Sequence, residues 1–132
     1  IRKLLMDFID RTETEGHLRI IGEERRLSND LELGMFRIAQ VALSNVERHA
    51  DAKNVDVIIS FTDKEVNLEI GDNGKGFTLP VHAHNVAVGK NLGLIGMKER
   101  AELLGGRLEI QSNLGKGTRI KASIPLRSVE TE

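Results

Sequence analysis

An aspartate at the end of a predicted strand is the first residue whose position suggests chemistry. Val66, Leu68 and Ile70 alternate with polar residues, which is the period of a half-buried strand, and the same phase puts Asp72 on the apolar face. A carboxylate on the covered face of a sheet is costly unless a donor binds it. A nucleobase amine is one such donor, so the pattern suggests a nucleotide site.

Two glycines after Asp72 fit the same interpretation. Gly74 and Gly76 allow positive backbone φ angles and let another group approach the chain closely. The alternative is an ordinary hairpin turn, because Asp-Asn-Gly is a common turn sequence. These residues by themselves leave both interpretations open.

A long predicted helix carries polar residues near its C-terminal end. Val41, Asn45, Arg48 and His49 follow the spacing i, i+4, i+7 and i+8, so they share one face. Asn45 offers a carbonyl oxygen of the type that a hard cation binds, and Arg48 offers a charged donor suited to phosphate. The alternative is the polar end of a surface helix.

A later predicted helix begins with the glycine-bearing sequence Gly93-Leu94-Ile95-Gly96-Met97. The free amides of a helix N-terminus bind anions, and glycine lets phosphate oxygens come close. The alternative is a set of small residues that only allow tight packing. Both interpretations place this segment at a helix start.

Thr118 is a second polar residue predicted on the apolar face. It is in phase with Ile120, Ala122 and Ile124, so its hydroxyl faces inward as Asp72 does. Two inward polar groups at the ends of strands could serve one buried ligand. The P-loop and dinucleotide-binding patterns are absent from the sequence, so a bound phosphate requires another fold.

The elements that position these residues follow from hydrophobic periodicity and turn signals. In chain order we expect a helical stripe over residues 1–9, a strand near 15–21, a helix from about 28 to 50, an antiparallel hairpin of strands 55–61 and 66–72, a long loop, a helix from Gly93 or Leu94 to Gly105, and strands at 107–113 and 117–124.

Bulk composition narrows the function classes. The 132 residues suit one domain with two packed layers, and 19 basic against 20 acidic side chains indicate neither nucleic acid nor an acidic membrane as a partner. Without cysteine, disulfides and zinc-thiolate sites are excluded, and no apolar run reaches the roughly 20 residues of a membrane span. The sequence begins without Met in an amphipathic pattern, so we expect it to be part of a larger protein.

The order of these parts resembles the ATP-binding catalytic domain of sensor histidine kinases, within the superfamily that also contains gyrase, chaperone and mismatch-repair ATPases. The motifs are an Asn-bearing helix, a hairpin ending in Asp-x-Gly-x-Gly, a Gly-x-x-Gly helix start after a long loop, and a Gly-Thr strand. Residues 37–50 and 93–100 are most similar to the subfamily that pairs with response regulators of the NarL type. The similarity covers nearly the whole chain.

The resemblance implies a role for each site residue. Asp72 would receive the adenine amine with support from Thr118, and Asn45 would bind the Mg²⁺ that bridges the phosphates of ATP. Arg48 and His49 would line the phosphate and ribose side. The other implied contacts are Gly74 and Gly76 in the adenine pocket, Gly93, Leu94 and Gly96 in the phosphate turn, and Lys75 and Lys90 in a lid over residues 75–92.

One position departs from the family pattern. Many relatives carry Glu four residues before the motif Asn, where it activates water or helps to hold the metal, whereas this chain has Val41. We therefore expect poor ATP hydrolysis by that route, although transfer to a histidine needs no water-activating base. The four histidines lack the helical context of a phospho-acceptor, so we expect the fragment to bind ATP without phosphorylating itself.

The expected fold is an α/β two-layer sandwich, with a mixed and mostly antiparallel sheet and helices on one face, as in the Bergerat ATP-binding fold. We expect the trailing end of a dimerisation helix at residues 1–10, the catalytic domain at 11–126 and a charged tail at 127–132. The expected location is cytoplasmic.

The expected function is transfer of the ATP γ-phosphoryl group to a histidine on a separate dimerisation domain of the same protein, for relay to an aspartate of a NarL-type response regulator. Two alternatives stay open. One is an ATP-sensing regulatory module without catalysis, and the other is an anti-sigma-type serine kinase on the same fold.

Overall fold

A five-stranded sheet forms one layer of the fold, in a computed structural model that describes residues 1–47, 52–74, 92–113 and 115–126. Strand β1 is parallel to β2, and the other neighbours are antiparallel, in the order β1-β2-β3-β5-β4. This confirms the predicted mixed, mostly antiparallel sheet. The strands are β1 (Glu15–Ile21), β2 (Asn54–Phe61), β3 (Glu65–Asp72), β4 (Arg107–Asn113) and β5 (Gly117–Pro125).

Three helices form the second layer, α1 (Arg2–Thr12), α2 (Asn29–Asn45) and α3 (Leu92–Leu103). The hydroxyl of Ser28 accepts a hydrogen bond of 3.2 Å from the Leu31 amide and caps α2, as the Ser-Asn-Asp sequence predicts. The regular α-helix ends at Asn45 and residues 46 and 47 continue it as a π-type turn, while the rest of the expected run to about residue 50 lies outside the described residues. Leu92, the last residue of the predicted lid segment 75–92, is instead the first residue of α3.

The inner face of the sheet carries rows of apolar side chains against the helices. In one row the strand register aligns Leu18, Val57, Ile70, Ile120 and Ile110 from β1 to β4. The opposite face is polar, and it carries the ion pair of 2.8 Å between Arg119 and Glu69. An antiparallel sheet with one solvated face accounts for this alternation. Within the described residues, no helix is both long and apolar enough to cross a lipid bilayer.

Helix α1 contributes to the same core as the rest of the domain. Leu5 and Phe8 are 3% and 0% exposed and belong to one apolar cluster with residues of α2 and the sheet. At the C-terminal end of α1, the Arg11 guanidinium donates two hydrogen bonds of 3.0 and 3.2 Å to one oxygen of Glu47, beyond the end of α2. Residues 1–10 therefore pack on the domain that follows them.

Substituting Phe8 by Ala should lower the free energy of unfolding by about 3–5 kcal/mol, because the buried ring leaves a cavity. Met6→Ala is the matched control on the same helix. Its side chain is 59% exposed, so the change should stay within about 0.5 kcal/mol. Urea unfolding followed by circular dichroism measures both, and equal small changes would show that α1 is not part of the cooperative unit.

Candidate functional site

The last row of the inner sheet face carries polar residues on β3, β5 and β4, where the preceding rows are apolar. Register aligns Asp72 of β3 with Thr118 of β5, and Thr118 with Ser112 of β4. These three residues are called the polar row below. They continue the phase of the buried residues Ile70 and Ile120, so their side chains face the helix layer at one end of the sheet. The structure thus brings together the predicted inward residues Asp72 and Thr118.

Asp72 is a half-buried carboxylate held by backbone donors. Its Oδ1 accepts a hydrogen bond of 2.8 Å from the Gly74 amide. Burial raises the pKa of the carboxyl group, while backbone N–H groups of Gly74 and Thr118 act in the opposite direction and lower it. Desolvation is the larger effect, so the pKa of this carboxyl group is raised overall and its ionised form carries a desolvation cost. A ligand that donates a hydrogen bond to this carboxylate would offset that cost.

Ser112 is a member of the polar row that the sequence analysis missed. Its hydroxyl is buried and lies 2.8 Å from the Thr118 hydroxyl, and it donates a hydrogen bond of 3.3 Å to the Gly117 carbonyl. The signal was available, because Ser112 is in phase with Leu108 and Ile110 along β4. What the sequence lacked was the register that sets β4 beside Thr118.

Gly117 brings β5 into close contact with the end of β3. It has φ of +86°, and a Cβ at this position would overlap the carbonyl oxygen of Asp72. Only glycine therefore fits both the backbone angle and the space. This residue is structural, since it lets Thr118 pair with Asp72.

Asn73 fastens the end of β3 to the start of β2. Its side-chain oxygen accepts hydrogen bonds of 3.0 and 2.9 Å from the amides of Lys53 and Asn54, and its own amide donates to the Asn54 carbonyl at 3.3 Å. The local turn of Asp-Asn-Gly is made by Asp72, whose Oδ1 accepts from the Gly74 amide, whereas Asn73 bonds to the distant start of β2. Sequence reasoning did not assign Asn73 a role, because its partners are about 20 positions away.

The C-terminal end of α2 meets the first turn of α3. A Cβ built on Gly93 would lie 3.1 Å from Val41 Cγ1 and 3.6 Å from the side-chain nitrogen of Asn45. A side chain at 93 would press on Val41, so the small residue favours the close packing of the two helices, as in the alternative interpretation above. At Gly96, in contrast, a Cβ would meet no atom of the described residues within 4 Å, so they leave that side of α3 open.

The site thus combines a half-buried acceptor at the end of a sheet, an amide side chain at the end of α2 and the N-terminus of α3. A family profile described as "Histidine kinase-, DNA gyrase B-, and HSP90-like ATPase" matches residues 30–128. That span is most of the chain. The chain belongs to this ATPase family. An ATPase domain of this family implies that the nucleotide bound is ATP.

Several kinases are similar in sequence to this ATPase-family chain. It is 41% identical over 112 residues to the signal transduction histidine-protein kinase/phosphatase DegS of Bacillus subtilis (strain 168), covering 83% of this chain and 29% of DegS. The sensor histidine kinase LiaS of the same organism is 39% identical over 104 residues, or 79% of this chain and 28% of LiaS. DegS of Brevibacillus brevis is 34% identical over 98% of this chain. The chain thus spans about a third of the length of these relatives.

A solved structure has the same fold as this ATPase-family chain. The histidine kinase domain of the blue-light activated histidine kinase EL346 from Erythrobacter litoralis superposes with a TM-score of 0.71, covering 95% of this chain and 62% of that one. The two share 17% sequence identity, so the likeness concerns the fold alone. It agrees with the predicted two-layer α/β sandwich.

The remaining predicted site residues of this ATPase domain are either buried or outside the described part of the chain. The side chain of Leu94 is 8% exposed and packs in the core, so only its backbone N–H could meet a phosphate. Gly74 is buried beside Asp72. Arg48, His49, Lys75, Gly76 and Lys90 lie outside the described residues.

The residues present fit a magnesium ion that is held mainly by a nucleotide. Mg²⁺ is usually bound through one or two protein oxygens together with substrate phosphates. Asn45 offers one such oxygen beside the first turn of α3, where phosphates would lie. In the parts of the chain that the structure describes, no group of three or more His, Cys, Asp and Glu side chains could hold a metal ion. A dedicated protein cage is therefore not what these residues form.

An open groove of about 610 Å³ lies between α1, the start of α2 and the inner face of β1 and β2. A cavity of this size is ordinarily the default candidate for a ligand site. Its lining includes Leu18, Ile20, Leu27 and Phe61, and it contains neither Asn45 nor a residue of the polar row. The groove is therefore separate from the polar row and from Asn45.

Alanine at the two glycines of α3 should have opposite effects on stability. Gly93→Ala places a methyl group against Val41 and should lower the free energy of unfolding by about 1–3 kcal/mol. Gly96→Ala fills open space in a helix and should raise it by about 0.5–1 kcal/mol. Urea unfolding of the nucleotide-free variants checks this, and equal effects would contradict the described packing of α2 on α3.

Proposed function

We propose that this chain is the ATP-binding catalytic domain of a sensor histidine kinase of the NarL-type subfamily. It binds Mg-ATP and transfers the γ-phosphoryl group to a histidine on a separate dimerisation domain of the same protein. The phosphohistidine then supplies an aspartate of a NarL-type response regulator. The kinase names of the relatives support this proposal, and the chain covers about a third of those proteins.

The observation that carries the proposal is Asp72 at the end of an otherwise apolar sheet face. Its carboxylate is desolvated, aligned with Thr118 and turned toward the helix layer. The exocyclic amine of adenine is a neutral donor that fits such an acceptor, and the flat base suits the adjoining apolar rows. We assign Asp72 and Thr118 to the adenine edge on this basis.

The phosphates are proposed to lie between the end of α2 and the start of α3. The first amides of α3 have no acceptor within the helix and its dipole favours negative charge. The open side at Gly96 would admit phosphate oxygens, whereas Gly93 serves the packing. Asn45 would hold Mg²⁺, which neutralises phosphate charge when it is bound. We also assign Arg48, His49, Lys75, Gly76 and Lys90 to this nucleotide site from the family pattern.

In the proposed transfer, an imidazole nitrogen attacks the γ-phosphorus of ATP. A phosphorus–nitrogen bond forms, the bond to the β,γ-bridging oxygen breaks, and ADP leaves while the imidazole releases its proton. This chain would contribute positioning and charge stabilisation, which carry most of phosphoryl-transfer catalysis. Val41 supplies no water-activating group, so hydrolysis should be slow compared with transfer.

Calorimetric titration of ATP tests the site directly. Asp72→Asn should weaken ATP binding about ten- to a hundredfold, because a charge-assisted hydrogen bond contributes about 1.5–3 kcal/mol. Asn45→Ala should weaken binding in the presence of Mg²⁺ and leave metal-free binding nearly unchanged. Wild-type affinity in Asp72→Asn would mean that the adenine lies elsewhere.

The stability of the same aspartate variant is the control for misfolding. The folded-state pKa of Asp72 is raised, so the ionised group weakens folding as the pH rises through that value. At neutral pH the Asn variant lacks this penalty. Its nucleotide-free form should therefore unfold with a free energy equal to or above that of the wild type, although it binds ATP less well.

Phosphate transfer distinguishes the proposed kinase from its alternatives. Mixed with the dimerisation domain of its parent protein, the chain should transfer the γ-phosphoryl group of radiolabelled ATP to that domain, giving an acid-labile and base-stable product. An acid-stable product would indicate a serine kinase, and ATP binding without transfer would indicate a sensing module. The chain alone should acquire no label, which is the internal control.

A further inference from the structure

We infer that Ser112 is a positioning residue for adenine recognition, acting through the Thr118 hydroxyl. The inference rests on the proposed function, because it needs Thr118 at the adenine edge. It extends that function to a residue on β4, a strand that carries none of the proposed nucleotide contacts.

The geometry of the two hydroxyls is the first step. Ser112 Oγ lies 2.8 Å from Thr118 Oγ1, a short hydrogen bond between side chains on paired strands. A threonine hydroxyl has more than one available rotamer, and its proton can rotate. Because the single hydroxyl proton of Ser112 is directed to the Gly117 carbonyl, Thr118 is the donor in this pair, and its Oγ1 keeps acceptor capacity in a fixed direction.

Burial strengthens the hydrogen bond between the Ser112 and Thr118 hydroxyls. Ser112 is 7% exposed, so water competes poorly for its hydroxyl. The same hydroxyl donates to the carbonyl of Gly117 at 3.3 Å, and Gly117 packs against the backbone of Asp72. Ser112 therefore contacts both Gly117 and Thr118, the residues of β5 that adjoin Asp72. It holds the start of β5 in the position that sets Thr118 beside Asp72.

The consequence is a division of labour within the polar row. Asp72 and Thr118 would contact the base, and Ser112 would orient Thr118 from the side away from Asp72. Ser112 should then influence the nucleobase edge and have little influence on the phosphates. Loss of Ser112 should consequently reduce selectivity for adenine.

The test compares Ser112→Ala with Ser123→Ala by calorimetric titration of ATP and of inosine triphosphate, whose base lacks the 6-amino group. Ser123 is also a buried serine of the sheet, 2% exposed, but it faces the other side. Ser112→Ala should weaken ATP binding about 2- to 10-fold, the range for one neutral hydrogen bond, and change inosine triphosphate binding less. Ser123→Ala should bind both nucleotides as the wild type does.

A double-mutant cycle separates positioning from general destabilisation. In a Thr118→Val background, Ser112→Ala should cause no further loss of ATP affinity, because the hydroxyl it acts through is gone. Ser112→Thr retains the hydroxyl and should retain most of the affinity. An undiminished loss in the Val background, or wild-type ATP affinity in Ser112→Ala, would overturn the inference.

The outcome for Asp72→Asn shows which proposal has failed. If that variant loses ATP affinity while Ser112→Ala does not, only the role of Ser112 is wrong. If neither variant changes the affinity, the adenine site itself is misplaced. Should Ser112→Ala fail to fold, Ser112→Thr and Thr118→Val supply the comparison, and equal ATP affinity in Thr118→Val and the wild type would overturn the inference.

Discussion

A carboxylate desolvated at the end of an apolar sheet face is the constraint around which the site is arranged. Asp72 stays half-buried because the register of β3 and β5 carries the inward phase of Ile70 one step further. The backbone amide of Gly74 satisfies part of its hydrogen-bonding capacity. Burial still raises the pKa of this carboxyl group, so a hydrogen-bond donor on a ligand would offset part of the cost of desolvating its ionised form.

Close backbone approach is what keeps that carboxylate in place. Gly117 lets β5 begin directly against Asp72, and Asn73 ties the end of β3 to the start of β2. Neither residue needs to touch a nucleotide for this. Both residues act through contacts with the backbone. A site at the end of a sheet depends on such residues, because they hold the strand ends and the following loops in a fixed position.

The two glycines of α3 show that one motif can hold two physical roles. Gly93 removes a side chain that would press on Val41, so α2 and α3 can approach and set Asn45 beside the helix start. Gly96 faces open space and leaves room on the ligand side. Val41 itself packs against the core, and an apolar side chain suits a position between two helices. The valine at position 41 thus has a packing rationale in this chain.

Periodicity by itself determined which residues lie on the apolar side of each element, since side-chain direction in strands and helices is local geometry. It was sufficient to place Asp72 and Thr118 inward, to find five strands and to locate the starts of α2 and α3, and the ordered motifs indicated the family. It did not distinguish the π-type turn that follows Asn45 from the regular helix before it. Only the tertiary structure decided that Ser112 lies beside Thr118, that Asn73 holds β2 and that Gly93 faces Val41. Those contacts are set by strand register and helix packing between distant segments, which no local pattern encodes.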